Sequence, residues 1–174
     1  IKPSLVVVSD IDEDRLRRAE QIYDPCEAKK HGILMSLHTP YYISLSGVDP
    51  EKRLKSIDYI QKSLWAADLL GADTIVIHSG SAAKISRETA MEYASETLRM
   101  ADQMLYEKGF TVKLGLETMG KQNQLGTLEE VLALCKISPR FYPVVDFGHI
   151  NAREQGILKT EDDFKYIFDR IAAE

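Results

Sequence analysis

The sequence predicts an α/β fold on a parallel sheet, and three observations carry that prediction. Short β-branched runs alternate with longer segments of helical periodicity. None of the runs alternates cleanly between polar and apolar residues, and the helical segments are bracketed by recognisable start and stop residues. Strict alternation of strand and helix makes neighbouring strands parallel, and strands without a polar face suit a sheet covered on both sides. Such a sheet is either doubly wound or closed into a barrel, and periodicity leaves both open. The 174 residues suggest one domain, residues 1–174, with enough chain to bury most of a core.

The first run is Leu5–Ser9 (LVVVS). From Asp10 to Lys30 the pattern is weaker: Leu16, Ala19 and Ile22 have helical spacing, but Pro25 would break a helix, so one ending before Asp24 and then a further turn are expected. The second run is Ile33–His38 (ILMSLH). Leu54, Ile57, Ile60, Leu64, Ala67 and Leu70 then follow i+3/i+4 spacing, opened by Asp49–Pro50 and stopped at Gly71. Thr74–His78 (TIVIH) is third, followed by a helix through Met91, Ala94, Leu98, Ala101 and Leu105 that ends at Gly109. After Lys113–Glu117 (KLGLE), Thr127 and Glu130 form a capping box for a short helix through Leu134. Pro143–Asp146 (PVVD) closes the series, and Phe164, Ile167, Phe168 and Ile171 mark a last amphipathic helix from about Asp162 to Ala172. The result is five β/α units.

Composition excludes little. Hydrophobic residues make up 44% and charged residues 28%, ordinary for a soluble globular chain, and the net charge of −5 gives no prior for a polyanionic partner. A local basic patch would escape that sum. Cys26 and Cys135 are isolated, without CxxC spacing, which points to a reduced, cytoplasmic setting. No run of roughly 18 apolar residues and no signal-peptide pattern occurs, so neither membrane insertion nor export is expected. Ile1 is not a start methionine, and the chain reads as trimmed or partial.

In both candidate architectures ligands gather at the C-terminal ends of the strands. His38, His78, Glu117 and Asp146 all fall there, with His149 just beyond. Singly, each has a structural explanation: a histidine after a strand is commonly a satisfied structural residue, and an acid there commonly caps the next helix. One shared cause accounts for all five better than five separate ones. Imidazole and carboxylate without paired cysteines suit an open catalytic metal site of zinc, manganese or iron rather than a structural zinc of the Cys-rich kind. Glu117, in the middle of the row, is the natural bridge between two metals, an arrangement that suits phosphodiester hydrolysis. His31 lies at the opposite strand end and takes a structural or solvent role. "SGSAAK" after His78 lacks P-loop spacing. Tyr41 and Tyr42 stand in a loop beside the rim, where they pack the loop or stack on a base. Trp65 has core spacing, and Arg153 is a candidate anion contact at the rim.

At these residues the sequence resembles a known family. "LHTPYYISL", "IVIHSGS", "LGLETMGKQNQLG" and "VVDFGHINA" are similar to successive motifs of the endonuclease IV family, apurinic/apyrimidinic endonucleases with a TIM (β/α)8 barrel of the xylose-isomerase-like type, from about Ile33 to Ala152. The resemblance implies a trinuclear zinc site that hydrolyses the phosphodiester 5′ to an abasic site in DNA. By that resemblance His38 and His78 hold the first zinc, Glu117 bridges to the second and is the catalytic carboxylate, Asp146 joins the second and His149 holds the third. Tyr41 falls where the family has a DNA-penetrating tyrosine. A monomer acting in base excision repair is implied.

The chain also departs from the family. A full barrel takes ~250 residues, and the five strands resemble strands two to six of eight. The family's remaining ligands, two histidines, an aspartate and a glutamate, have no counterpart here, so a partial chain with partial metal binding is expected. Two further readings stay open on the same fold: a sugar isomerase or epimerase using one divalent metal, and an inactive barrel module.

Overall fold

The computed structural model describes residues 4–7 and 30–174. Five strands, β1 (Ser4–Val7), β2 (Met35–His38), β3 (Thr74–His78), β4 (Lys113–Glu117) and β5 (Phe141–Val144), form one sheet in which every pairing is parallel and spatial order equals chain order. A doubly wound sheet reverses its strand order at a switch point. This sheet has no reversal, so it is an arc of a barrel wall. The expected helix within residues 10–30, and Cys26 with it, lie outside the described residues.

Helices α1 (Pro50–Leu69), α2 (Arg87–Lys108), α3 (Leu128–Cys135), α4 (Phe147–Arg153) and α5 (Glu161–Ala172) follow β2, β3, β4 and β5, the last strand being followed by two. Their ends have local causes. Asp49 accepts the Glu51 N–H at 2.9 Å to start α1, with Pro50 pre-set at the first helical position. Ser86 caps α2 through the Thr89 N–H, and Gly109 closes it in the left-handed conformation at φ 70°. Thr127 and Glu130 form the expected capping box. The short α4 has no counterpart in the hydrophobic periodicity, because seven residues span barely two turns.

The core lies between the sheet and α1–α3. Leu37, Ile75, Ile77, Leu114 and Leu116 point alternate side chains at the helices and are fully buried, against Ile60 and Leu64 of α1 and Leu98 and Leu105 of α2. Trp65 and Cys135 pack against this cluster, and burial pushes the Cys135 thiol up to about 12. The other face of the sheet carries Thr74, Val76 and His78 of β3, Gly115 and Glu117 of β4, and Tyr142 and Val144 of β5. Gly115 has a packing reason: a Cβ there would meet Val144 Cγ2 at 2.5 Å. The expectation of strands buried on both faces fits β3 and β4. In β5, an outermost strand of the described sheet, Phe141 is buried and Tyr142, Pro143 and Val144 are half-buried. Phe164 and Phe168 of α5 pack tilted against Phe147 and stay part-exposed.

Candidate metal centre

Strand register puts the ligand row on one face. His78 and Glu117 are register partners across β3 and β4. His38 pairs with Val76, two residues before His78, and two residues preserve the face in a strand of period two. Glu117 pairs with Val144, so Asp146 has the same parity two residues on. The expected strand end at Asp146 is corrected here: β5 stops at Val144, and Asp146 is the N-cap of α4, its Oδ1 accepting the His149 N–H at 2.8 Å. That capping bond places His149 one helical turn beyond Asp146 and leaves Oδ2 at 3.5 Å from His149 Nδ1.

Glu117 stands at the centre, 8% exposed. Its Oε2 lies 3.2 Å from His38 Nε2 and 3.3 Å from His78 Nε2, while Oε1 lies 3.6 Å from His149 Nδ1. The ligand atoms of His38, His78 and Glu117 lie within 4.8 Å of one another, and so do those of Glu117, Asp146 and His149. Ligand atoms ~2.0–2.1 Å from a tetrahedral zinc stand roughly 3.3–3.4 Å apart. The two imidazole-to-carboxylate distances match that spacing. The His38 Nδ1–H donates to the Thr39 carbonyl at 2.8 Å, which directs Nε2 into the site. The donor set therefore fits a divalent cation, with three protein ligands in the first group.

Electrostatics agree with the geometry. Burial opposes ionisation of Glu117 most strongly, but hydrogen bonds to His38 and His78 outweigh it and hold the carboxyl at about 2. The same Glu117 bond raises His38 above its ordinary 6.5, against a downward pull from burial, with the Thr39 carbonyl adding to the rise. Glu117 thus contributes stability that is complete above its ordinary 4.5 and is lost as pH falls toward 2. His38 contributes stability that is complete below 6.5 and is lost as pH rises through its elevated value. Urea titrations of metal-free protein are expected to show this pair's contribution greatest between 4.5 and 6.5. Metal affinity should move the other way, rising from about pH 6 to about pH 8, because ligation needs a neutral imidazole. A chelator competition that found no rise would contradict it.

The remaining candidates separate. Tyr41 is 69% exposed, its ring centroid 5.2 Å from that of His38 and 5.3 Å from that of His78. Tyr42 instead packs edge-on against Tyr59 of α1 at 4.6 Å, the loop-packing role. His31 is exposed before β2, away from the row. Arg153 corrects the rim-anion expectation: it is 5% exposed and spends its guanidinium on the carbonyls of Met119, Lys121, Gln122 and Gln124. Arg87 grips the same loop through the carbonyls of Gln122 and Gln124, and both oxygens of Glu130 hold Arg87. The loop after β3 is pinned as well, since Ser46 Oγ donates to the Ser81 carbonyl and accepts the Ser81 N–H. Sequence reading missed Thr118, which follows Glu117 and bonds to the Asp146 backbone and to His149. A buried threonine in an apolar run has no spacing signal that would single it out.

An α/β barrel wall with a row of candidate metal ligands on its C-terminal rim defines the broad class. The sequence profile of the xylose isomerase-like TIM barrel matches residues 26–173, and the chain belongs to that family. Among relatives, a "probable endonuclease 4" of Acholeplasma laidlawii is 36% identical over 151 residues, covering 82% of this chain and 51% of that protein. Among solved structures, a D-tagatose 3-epimerase-like protein superposes with a TM-score of 0.69 at 18% identity, over 84% of this chain and 57% of its own. Endonuclease IV from Thermus thermophilus superposes with a TM-score of 0.61 at 19% identity, over 97% of this chain and 70% of its own. These superpositions speak for the fold alone. The chain spans about half the length of the relatives that it matches over most of its residues. Among the described residues, no helix is long and apolar enough to cross a membrane.

Proposed function

We propose that the whole protein is a zinc-dependent endonuclease of the endonuclease IV type, cutting the DNA phosphodiester 5′ to abasic sites. One observation carries this reading: the two oxygens of Glu117 face different partners, Oε2 the pair His38 and His78, Oε1 His149 with Asp146 beside it. A carboxylate so divided would be placed to serve two metals, and paired metals suit phosphodiester hydrolysis. Similarity to a probable endonuclease 4 supports the same reading. Zinc, or manganese or iron in its place, would be held by His38, His78 and Glu117 in one set and by Glu117 and Asp146 in the other, with His149 left for a third metal as the family resemblance implies. Such a metal would supply Lewis acidity, stabilising charge on the phosphoryl and leaving oxygens.

The chain's own residues do the rest. Glu117 stays ionised at any working pH, and Thr39 and Thr118 orient the His38 and His149 rings through their carbonyls. Tyr41, held beside the two histidines with its ring exposed, stacks on or wedges beside a base next to the lesion.

The whole protein is to be incubated with a duplex carrying one abasic site, with and without chelator. The expected result is a single metal-dependent nick on the 5′ side, and absence of incision in every metal would defeat the proposal. Tyr41→Ala is expected to weaken binding to that duplex roughly 10-fold, the scale of one lost base stack. The epimerase reading needs only the His38, His78 and Glu117 set, so a single bound metal per chain would favour it. An inactive module would keep its metal content after His78→Ala.

A further inference from the structure

We propose that Ser46 is the positioning residue for Tyr41, locking the loop that carries the exposed ring to the loop that follows His78; this rests on the reading of Tyr41 as the residue that stacks beside the lesion. The turn Ser79–Gly80–Ser81 lacks the spacing of a phosphate loop, and its geometry serves another purpose. Ser46 is buried, and its hydroxyl grips one residue twice, donating to the Ser81 carbonyl at 2.8 Å and accepting the Ser81 N–H at 2.6 Å. Gly80 leaves room for this clasp: it takes φ 118°, and a Cβ there would collide with the Ser46 hydroxyl. Ser81 in turn reaches the loop after β4. It forms an isolated antiparallel bridge with Gln124, flanked by bonds from the Ala82 N–H to the Asn123 carbonyl at 2.8 Å and from the Leu125 N–H to the Gly80 carbonyl at 3.0 Å. Arg87 and Arg153 hold that third loop, so three rim loops form one hydrogen-bonded layer.

The clasp bears on Tyr41 because of where it sits in the loop. The ring of Tyr41 is largely exposed and rests against the rings of His38 and His78. The return leg of its loop is anchored outward, toward the helices: the Ser44 N–H donates to Ser56 Oγ of α1 at 2.9 Å, and the Leu45 carbonyl accepts from Thr97 Oγ1 of α2 at 2.7 Å. Ser46 adds the hold toward the rim. A circuit then closes, from Tyr41 along the chain to Ser46, across to Ser81, back along the chain to His78, and through the ring contact to Tyr41. Cutting the circuit at the hydroxyl frees the Tyr41 turn relative to His78, while the strands that carry His38, His78 and Glu117 keep their ladder. A stacking side chain on a loop ordered in advance binds more tightly, because a mobile one gives up its freedom on contact. Ser46 therefore acts on DNA affinity through Tyr41 and leaves the metal ligands as they are.

The test is a double-mutant cycle on the whole protein. It reads affinity for a duplex that carries one abasic site and a methylphosphonate linkage 5′ to it, which resists hydrolysis. Ser46→Ala is expected to weaken binding roughly 3- to 10-fold, within the roughly 10-fold that Tyr41→Ala removes. In the Tyr41→Ala background it is expected to add nothing further, the mark of two residues acting as one. A loss caused by general loosening of the fold would persist in that background and would overturn the role of Ser46. Wild-type affinity in Ser46→Ala, with Tyr41→Ala binding weakly, would overturn it as well. If the wild type does not bind the duplex, or Tyr41→Ala binds it as tightly, the stacking reading fails and this inference falls with it. Titration of metal-free protein with Co2+ is expected to give Ser46→Ala the wild-type affinity and visible spectrum, and a loss of metal there would contradict an action through Tyr41. Should Ser46→Ala not fold, Ser46→Cys, of nearly the same size, puts a weak donor and acceptor in place of the hydroxyl, and the same cycle on it decides.

Discussion

Glu117→Gln is expected to strip both ligand sets at once. The amide keeps the shape of the side chain but loses its charge, and it offers two imidazoles and a second cation site no anion to share. Removing an outer partner of a metal ligand typically costs roughly 10- to 100-fold in affinity. Loss of a ligand common to two sets should therefore exceed ~100-fold at each, and metal-dependent incision should fall below detection. His149→Ala touches only one side of Glu117 and is expected to spare the metal between His38 and His78. Metal analysis of the two variants side by side separates the cases, since equal losses would mean that Glu117 serves a single set. The folded state should respond in the same sense. Glu117 is buried, and its carboxyl is held at about 2 by two histidines, one of which it raises above 6.5. Removing one partner of a buried pair is destabilising whatever the pair's net worth, so neutral glutamine should also cost the metal-free protein the stability that Glu117 contributes above pH 4.5.

How far the site is legible in the sequence depends on which residues carry a period. His38, His78 and Glu117 end apolar runs, so strand ends can be read and their shared rim inferred. The register that puts all three on one face needs the pairing of His38 with Val76, which no run of letters contains. Asp146 reads as a strand residue because Pro143, Val144 and Val145 look extended. The chain instead turns at Asp146 because its carboxylate takes the His149 N–H and its own N–H is held by Thr118. Helix α4 is invisible for the same reason: its start is set by a capping bond, and it ends where Gln155 and Gly156 take positive φ, neither of which shows as hydrophobic spacing. Caps with a two-residue signature, Asp49–Pro50 and Thr127 with Glu130, are legible directly. Partners distant in sequence, such as Arg87 with Glu130, are not.

Arg153→Met is expected to destabilise the fold by about 3 kcal/mol without reducing anion affinity at the rim. In sequence the arginine stands close behind His149, where a cation suggests a phosphate contact. In the structure it lies beneath the loop after β4, donating at 3.0 Å to the Met119 carbonyl and at 2.8 Å to that of Lys121, with longer bonds to Gln122 and Gln124. The Gln122 side chain returns a bond of 2.6 Å to the Arg153 carbonyl. Hydrogen bonds to a charged group contribute about 1.5–3 kcal/mol each, and a carbonyl left buried without a donor adds its own penalty. Several such bonds, discounted because part of the loop can turn to water, give the figure above. At roughly 2–4 °C per kcal/mol for a chain of this size, the melting temperature should fall by roughly 6–12 °C. Methionine fills most of the volume, so the loss reports the guanidinium. Arg153→Lys should recover little, because an ammonium is a point charge and cannot fork across carbonyls that are spread along the loop from Met119 to Gln124. A rim contact would behave in reverse, leaving the melting temperature unchanged and weakening DNA binding in a salt-dependent way. Melting curves of the three proteins, with DNA titrations at two salt concentrations, distinguish a strut from a phosphate contact. The 5% exposure of Arg153 and its four carbonyl partners favour the strut.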